Sequence, residues 1–211
     1  MRGAKGRIRS KKTREAASSE KTQDVRPGVY VIFVDSEKTE RNYFEGLNKS
    51  KECCANIRLE RIRRIGNAIE EIQERTIPLN DSVWLVFDRD EVVPFNQIIS
   101  EAEKLGYRVG WSNPCFEIWL HAYFGKMPSA ATSVECVNNF KREFKRKTEQ
   151  EYEKNDPKIF DLVEKYGKFK DARDIARNAM QAAKGVSSKP SEQSPATTVY
   201  KLVEELRGIN N

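Results

Sequence analysis

VYVIFV (Val29–Val34) is the stretch that decides the fold class, because all six residues are apolar or aromatic and four of them are β-branched. A strand without a polar face is typical of a parallel sheet that helices cover on both sides. VWLVFD, at 83–88, has the same character and ends on an acidic residue. IRLERI at 57–62 alternates apolar and charged residues, which predicts a half-exposed strand, and YRVGWS at 107–112 predicts a further strand.

Helical patterns lie between these strands. Apolar residues at helical spacing predict helices at 39–51, 66–75 and 95–105, and Gly106 is placed to end the last of them. Asn113 and Pro114 have the form of an N-cap followed by proline at the first helical position, so we expect the next helix to begin there. The alternation of strands and helices predicts an α/β domain with a mostly parallel sheet flanked by helices.

The pattern changes after residue 132, where no further strand-like run appears. Helices are predicted at 134–153, 157–166, 169–183 and 195–207. The sequence therefore divides into three parts: a basic tail that we expect to be disordered (1–26), an α/β core (27–132), and a helical C-terminal region packed on the core (133–211).

The basic charge is concentrated in the tail. Residues 1–26 hold nine Lys/Arg and three Asp/Glu, which accounts for the whole net charge of +6. Two interpretations stay open: an arm that binds nucleic acid through its phosphates, and a solubilising extension without a specific contact.

The cysteines indicate the compartment. Cys53, Cys54, Cys115 and Cys136 form no C-x-x-C pair, and His121 is the only histidine. We therefore expect reduced thiols, a cytoplasmic location and no zinc site of the usual Cys/His kind. No apolar run approaches the roughly 18 residues of a membrane span.

Acidic residues follow the predicted strands at one end. Asp35 comes directly after the first strand, Asp88 ends the VWLVF strand with Asp90 two residues on, and Glu117 lies in the helix after the YRVGW strand. The carboxyl ends of parallel strands form one functional edge, so we expect these groups to meet there. Clustered carboxylates repel each other, and oxygen ligands of this type suit Mg²⁺ or Mn²⁺.

Each acid also has a purely structural interpretation. Asp35 could cap the helix that follows it, and Asp88 and Asp90 could simply form a turn. Glu117 could complement the dipole of its own helix. The metal-site hypothesis depends on all of them reaching the same place.

Four segments together resemble the RloB-like family: FVDSEKTERNYFEGL (33–47), VWLVFDRDE (83–91), WSNPCFEIWL (111–120) and SPATTVYKLVEEL (194–206). Members of this family are bacterial proteins associated with restriction-modification and phage-defence loci. Their core is similar to the Toprim fold, which topoisomerases, primases and several defence nucleases share. The resemblance thus implies a Toprim-like α/β core.

The resemblance also implies residue roles. Asp88 and Asp90 would bind Mg²⁺ (or Mn²⁺), and Asp35 would act in acid/base chemistry or as a third metal ligand. Glu117, in the NPCFE motif, and Glu40, in the first motif, would join the catalytic group. The family more often has glutamate where this chain has Asp35; the shorter side chain could reduce activity, or Glu37 could substitute.

The function implied by the resemblance is metal-dependent hydrolysis of phosphodiester bonds in RNA or DNA, in bacterial defence against phage. Two alternatives stay open. The chain could be a catalytically weak or inactive module that binds a partner ATPase or nucleic acid, or it could be a nucleotide phosphoryl-transfer enzyme.

Two basic clusters lie outside the tail, RLERIRR at 58–64 and KREFKRK at 141–147. They could contact phosphates or could be solvated faces of a strand and a helix. Trp84, Trp111 and Trp119 lie in apolar runs, which favours a place in the core over a role as base-stacking platforms.

Overall fold

The computed structural model describes residues 28–90 and 92–209. The tail of 1–26, which the composition predicts to be disordered, lies outside the described residues. Within them, five strands form one sheet in the order β2-β1-β3-β4-β5, with all pairs parallel except β4 with β5. The strands are β1 (Val29–Val34), β2 (Asn56–Arg61), β3 (Ser82–Asp88), β4 (Arg108–Asn113) and β5 (Ala196–Thr197).

Eight α-helices flank this sheet in the described part of the chain, so the predicted α/β class with a mostly parallel sheet is confirmed. Short 3₁₀ turns precede α2 and follow α7. The helices are α1 (Thr39–Lys49), α2 (Ala68–Gln73), α3 (Phe95–Lys104), α4 (Glu117–Tyr123), α5 (Ser133–Thr148), α6 (Ile159–Tyr166), α7 (Phe169–Val186) and α8 (Val199–Leu206).

The prediction that a helix begins at Asn113–Pro114 is wrong. Asn113 is the last residue of β4, the peptide bond to Pro114 is cis, and α4 begins at Glu117. The Asn113 side chain does not cap a helix but donates to the main-chain carbonyls of Pro190 and Ser191, each at 3.2 Å. An isolated Asn-Pro pair is compatible with a turn as well as a helix start, and tertiary contacts decide between them here.

The prediction that no strand follows residue 132 is also wrong. β5 pairs antiparallel with β4, and Thr198 strengthens the junction: its hydroxyl donates to the carbonyl of Val109 at 2.9 Å and accepts from the N–H of Trp111 at 2.9 Å. Two residues are too few to show alternation, so the segment looked like the start of a helix. That helix, α8, begins only at Val199.

The core places α4 between the sheet and the C-terminal helices. Each of its seven residues is buried. Rings from α1, α4 and α6 meet edge to face around Tyr43, whose hydroxyl lies 2.7 Å from that of Tyr123. Trp84, Trp111 and Trp119 are at most 4 % exposed, which confirms that they belong to the core. The burial of α4 is what carries Glu117 into the interior.

The four cysteines are free thiols. Among the described residues, no helix combines the length and apolarity that crossing a membrane would require.

Candidate metal centre

One pocket of about 470 Å³ opens at the carboxyl end of the parallel strands. Val34 of β1 is in register with Val86 of β3, so the next residue, Asp35, comes close to the end of β3. Asp35, Glu40, Asp88 and Asp90 all line this pocket. Backbone register therefore brings together acids that are up to 55 positions apart in the chain.

Asp35 is a carboxyl whose ionisation is costly. Burial, followed by repulsion from Glu40, raises its pKa to about 7. Its Oδ1 atom is buried and has no hydrogen-bond partner among the described residues. The purely structural interpretation of Asp35 as the cap of α1 does not hold, because the cap position is Lys38 and no side chain caps that helix.

Asp88 combines one satisfied oxygen with one that is free. Its Oδ2 atom accepts the N–H of Phe116 at 2.9 Å, which ties the end of β3 to the residue before α4. Its Oδ1 atom is buried without a partner among the described residues. Burial and then the charges of Glu40 and Asp35 raise its pKa well above the ordinary range of an aspartate.

Glu40 lies in the first turn of α1 and is 7 % exposed. The hydroxyl of Ser36 donates to its Oε2 atom. Burial raises the pKa of Glu40 although this hydrogen bond favours the charged form. Three carboxyls of one pocket thus have raised pKa values, each with burial as the largest cause.

Asp90 is held by the main chain in an uncommon conformation. Its φ is 26°, a value that non-glycine residues seldom adopt. The N–H of Asp90 donates to the carbonyl of Pro114 at 3.0 Å, and the N–H of Arg89 donates to that of Ser112 at 2.7 Å. These contacts fix the turn after β3, so Asp90 faces the pocket at a small conformational cost.

Glu117 lies behind the pocket and is 1 % exposed. The hydroxyl of Tyr152 donates to its Oε1 atom at 2.8 Å and lies 2.9 Å from the hydroxyl of Thr39. The Nζ atom of Lys154 is 3.6 Å from the same Oε1 atom. Glu117 is therefore an anchored carboxylate with a phenol and an ammonium group beside it.

Lys154 is the cation that faces these carboxylates. It lines the pocket, and its main-chain carbonyl accepts the hydroxyl of Thr39 at 2.9 Å. Burial alone would lower the pKa of its ammonium group, but the charges of Glu117 and Glu40 raise it overall. Lys154 is thus positively charged at neutral pH.

The donor set fits a hard divalent cation. Asp35 and Asp88 each have a buried oxygen without a partner among the described residues, and such atoms are costly unless an ion or a proton satisfies them. The carboxylates do not form a closed ligand cage: within the described part of the chain, no three His, Cys, Asp or Glu side chains are already spaced to hold a metal. Mg²⁺ is commonly bound by one or two carboxylates with waters and phosphate oxygens filling the remaining positions.

Sequence reasoning found the carboxylates but missed their neighbours. Tyr152 and Lys154 lie between α5 and α6, in a segment for which the sequence predicted the end of a helix and a connection. Neither periodicity nor a motif distinguishes these two residues from the other polar residues of EYEKND (151–156), which the sequence would place at the surface. Their role becomes visible only because the C-terminal region folds back on α1 and α4.

The family model of the RloB-like proteins matches residues 30–206. This chain belongs to the RloB-like family. The match runs from β1 to α8, so in this RloB-like protein it includes the four pocket carboxylates, Glu117 and Lys154. The chain matched no curated protein and no solved structure.

Proposed function

We propose that this RloB-like protein is a divalent-metal-dependent nuclease that hydrolyses phosphodiester bonds in RNA or DNA. One observation carries the proposal: carboxyls of the residue after β1, of α1 and of β3 line a single pocket, where burial and mutual repulsion raise their pKa values. A cation is the usual means of keeping such a group ionised. The Toprim-like interpretation of the core, based on the sequence motifs, supports the same assignment.

Asp88, Asp90 and Asp35 are the residues that would hold Mg²⁺ or Mn²⁺. When bound, the ion supplies charge neutralisation for a phosphate oxygen and a lowered pKa for a water molecule. Phe116 orients Asp88 through its main-chain N–H, and the main-chain contacts of Arg89 and Asp90 fix the turn between the two aspartates. The backbone thus positions these side chains before any ligand arrives.

The remaining residues of the pocket divide the other roles. If Asp88 and Asp90 alone hold the ion, Asp35 is the pocket carboxyl placed to accept a proton from an attacking water. Glu40, held by Ser36, is the second carboxyl available for proton transfer. Lys154 places a positive charge at the pocket wall, where it would attract a phosphate. Glu117 and Tyr152 keep that lysine in place.

The setting that we propose is bacterial defence against phage, in the cytoplasm, where a partner ATPase could control the activity. This part rests on the family likeness and on the free cysteines. Asp35 in place of the more usual glutamate keeps a catalytically weak module as the alternative.

Cleavage of labelled RNA and DNA by purified protein tests the proposal. The wild type should cut at least one of them with Mg²⁺ or Mn²⁺ and should stop with a chelator. Asp88→Asn removes one ionised oxygen and should lower the rate about 10²-fold or more, because the ion is expected to supply several kcal/mol of transition-state stabilisation.

Glu103→Gln, which changes an exposed carboxyl of α3, is the matched control and should cleave like the wild type. Cleavage that persists in Asp88→Asn would point to another site or to a contaminant. An absence of cleavage together with thermal stabilisation by Mg²⁺ would favour the partner-binding or nucleotide-dependent alternatives.

A further inference from the structure

We propose that Arg61, Arg63 and Arg64, here called the arginine loop, form the surface that binds the phosphate backbone of the nucleic acid beside the metal pocket. The inference rests on the proposed function and deepens it, since it assigns the surface along which the bound nucleic acid extends from the metal pocket. All three arginines are exposed.

The position of the loop is set by the sheet. Arg61 ends β2 in register with Val34, and the N–H of Ile62 donates to the carbonyl of Val34 at 2.9 Å. The next residue after Val34 is Asp35. Neighbouring strands lie about 4.8 Å apart, so the loop leaves the sheet one strand away from the pocket carboxylates. The two residues that follow the loop, Ile65 and Gly66, line the pocket itself.

The loop is also held in shape. The N–H groups of Arg63 and Arg64 each donate to a carboxylate oxygen of Glu71 at 3.0 Å. These main-chain hydrogen bonds are the first cause of the lowered pKa of Glu71, ahead of the charge of Arg63. Glu71 therefore fixes the backbone of the loop, while the guanidinium groups stay at the surface.

Ion pairing and position together separate this cluster from the one on α5. In the described part of the chain, Arg63 and Arg64 take part in no side-chain ion pair, and Arg61 contacts Glu37 only at 3.6 Å, with both side chains about half exposed. On α5 the acidic neighbours are closer. Lys145 pairs with Glu151, and Arg146 pairs with Glu143. Lys141 and Arg142 take part in no ion pair within the described residues, but they line a different pocket from the carboxylates.

A second explanation for arginines near β2 is protection of the sheet edge. β2 is an edge strand, and charged side chains on such strands discourage pairing with another chain. This accounts for Arg58 within β2, which pairs with Glu60 at 3.6 Å. Arg63 and Arg64 lie beyond the end of the strand, where they protect no ladder of hydrogen bonds.

The test measures binding without cleavage. A fluorescently labelled single-stranded oligonucleotide is titrated with the full chain in chelator, and anisotropy gives the affinity over a range of salt concentrations. The double variant Arg63→Ala/Arg64→Ala should lose two phosphate contacts. The negative slope of log K against log salt should then become shallower by about 1.4, and binding at 0.1 M salt should be about 25-fold weaker.

Lys141→Ala/Arg142→Ala on α5 removes the same charge from exposed positions and is the control. It should bind almost as well as the wild type, and Arg63→Lys/Arg64→Lys should retain most of the affinity. An unchanged thermal midpoint of Arg63→Ala/Arg64→Ala would verify that the loop backbone is intact.

Equal losses in the two alanine variants, wild-type affinity in Arg63→Ala/Arg64→Ala, or a wild type that binds no oligonucleotide would each overturn the assignment. Because binding is measured in chelator, the outcome does not depend on cleavage. A protein that binds through the arginine loop but cuts nothing would contradict only the proposed nuclease activity.

Discussion

Replacing Asp35 by asparagine should stabilise the metal-free protein at pH 8. The side chain is ionised in the wild type at this pH, and its pKa is raised from 3.8 to about 7 by burial and by Glu40. That difference corresponds to about 4 kcal/mol of unfolding free energy. Part of this free energy is the repulsion that Asp35 shares with Asp88. We therefore expect the unfolding free energy of Asp35→Asn to be about 2 kcal/mol higher than that of the wild type, and its thermal midpoint to be about 4–8 °C higher.

The stabilisation should depend on pH with a defined sign. The folded-state pKa of Asp35 lies above its unfolded value, so its favourable contribution is complete below about pH 4 and is lost as pH rises through about 7. The difference between Asp35→Asn and the wild type should therefore be close to zero at pH 4 and largest at pH 8. Burial lowers the pKa of His121 to about 4, which destabilises the fold in acid, so the two proteins must be compared with each other at each pH.

The assay is thermal unfolding in chelator from pH 4 to pH 8, followed by the same scans with Mg²⁺. A bound ion at a hundred times its dissociation constant should stabilise the wild type by about 2.7 kcal/mol and should have little effect on Asp35→Asn. Glu103→Gln, which changes an exposed carboxyl of α3 away from the pocket, is the control and should behave like the wild type. A lower midpoint for Asp35→Asn at pH 8, or a difference that does not vary with pH, would refute the reasoning.

Three further substitutions test individual contacts. Tyr152→Phe removes the O–H donor of a buried carboxylate and should cost about 1–3 kcal/mol of unfolding free energy and lower the cleavage rate, measured by denaturant titration and by turnover. Gly167→Ala should cost about 1–3 kcal/mol, because the added Cβ would lie 2.2 Å from the carbonyl oxygen of Tyr123. Gly185→Ala, in α7, meets nothing within 4 Å and should instead raise the thermal midpoint slightly.

Much of the fold could be predicted because the main strands can be identified from the local sequence pattern. β1 and β3 are continuous apolar runs, and only a parallel sheet covered on both faces buries them completely. The positions of Asp35 and Asp88 at the ends of these strands followed from the same runs. The errors at Asn113–Pro114 and at β5 arose where two residues carry too little pattern to separate a turn, a strand and a helix start.

The basic clusters illustrate what local sequence could not decide. RLERIRR and KREFKRK look equivalent as charge runs. In the folded chain, two cations of the second cluster, Lys145 and Arg146, pair with acids, whereas Arg63 and Arg64 of the first lie beside the pocket with their main chain fixed by Glu71. Charge pairing between separate segments depends on their distance in the folded chain, and the local sequence does not give that distance.

The amino-acid sequence by itself determined the α/β class, the four strands β1–β4 and the acids at the ends of β1 and β3, because a strand's apolar pattern is a local property of the sequence. Only the tertiary structure decided that Tyr152 and Lys154 reach Glu117, that Glu40 joins Asp35 and Asp88, and that one arginine cluster lies next to residues that line the pocket. These contacts join segments far apart in the chain. The packing of the C-terminal region against α1 and α4 brings Tyr152 and Lys154 to Glu117, and the register of the parallel strands sets the other two arrangements.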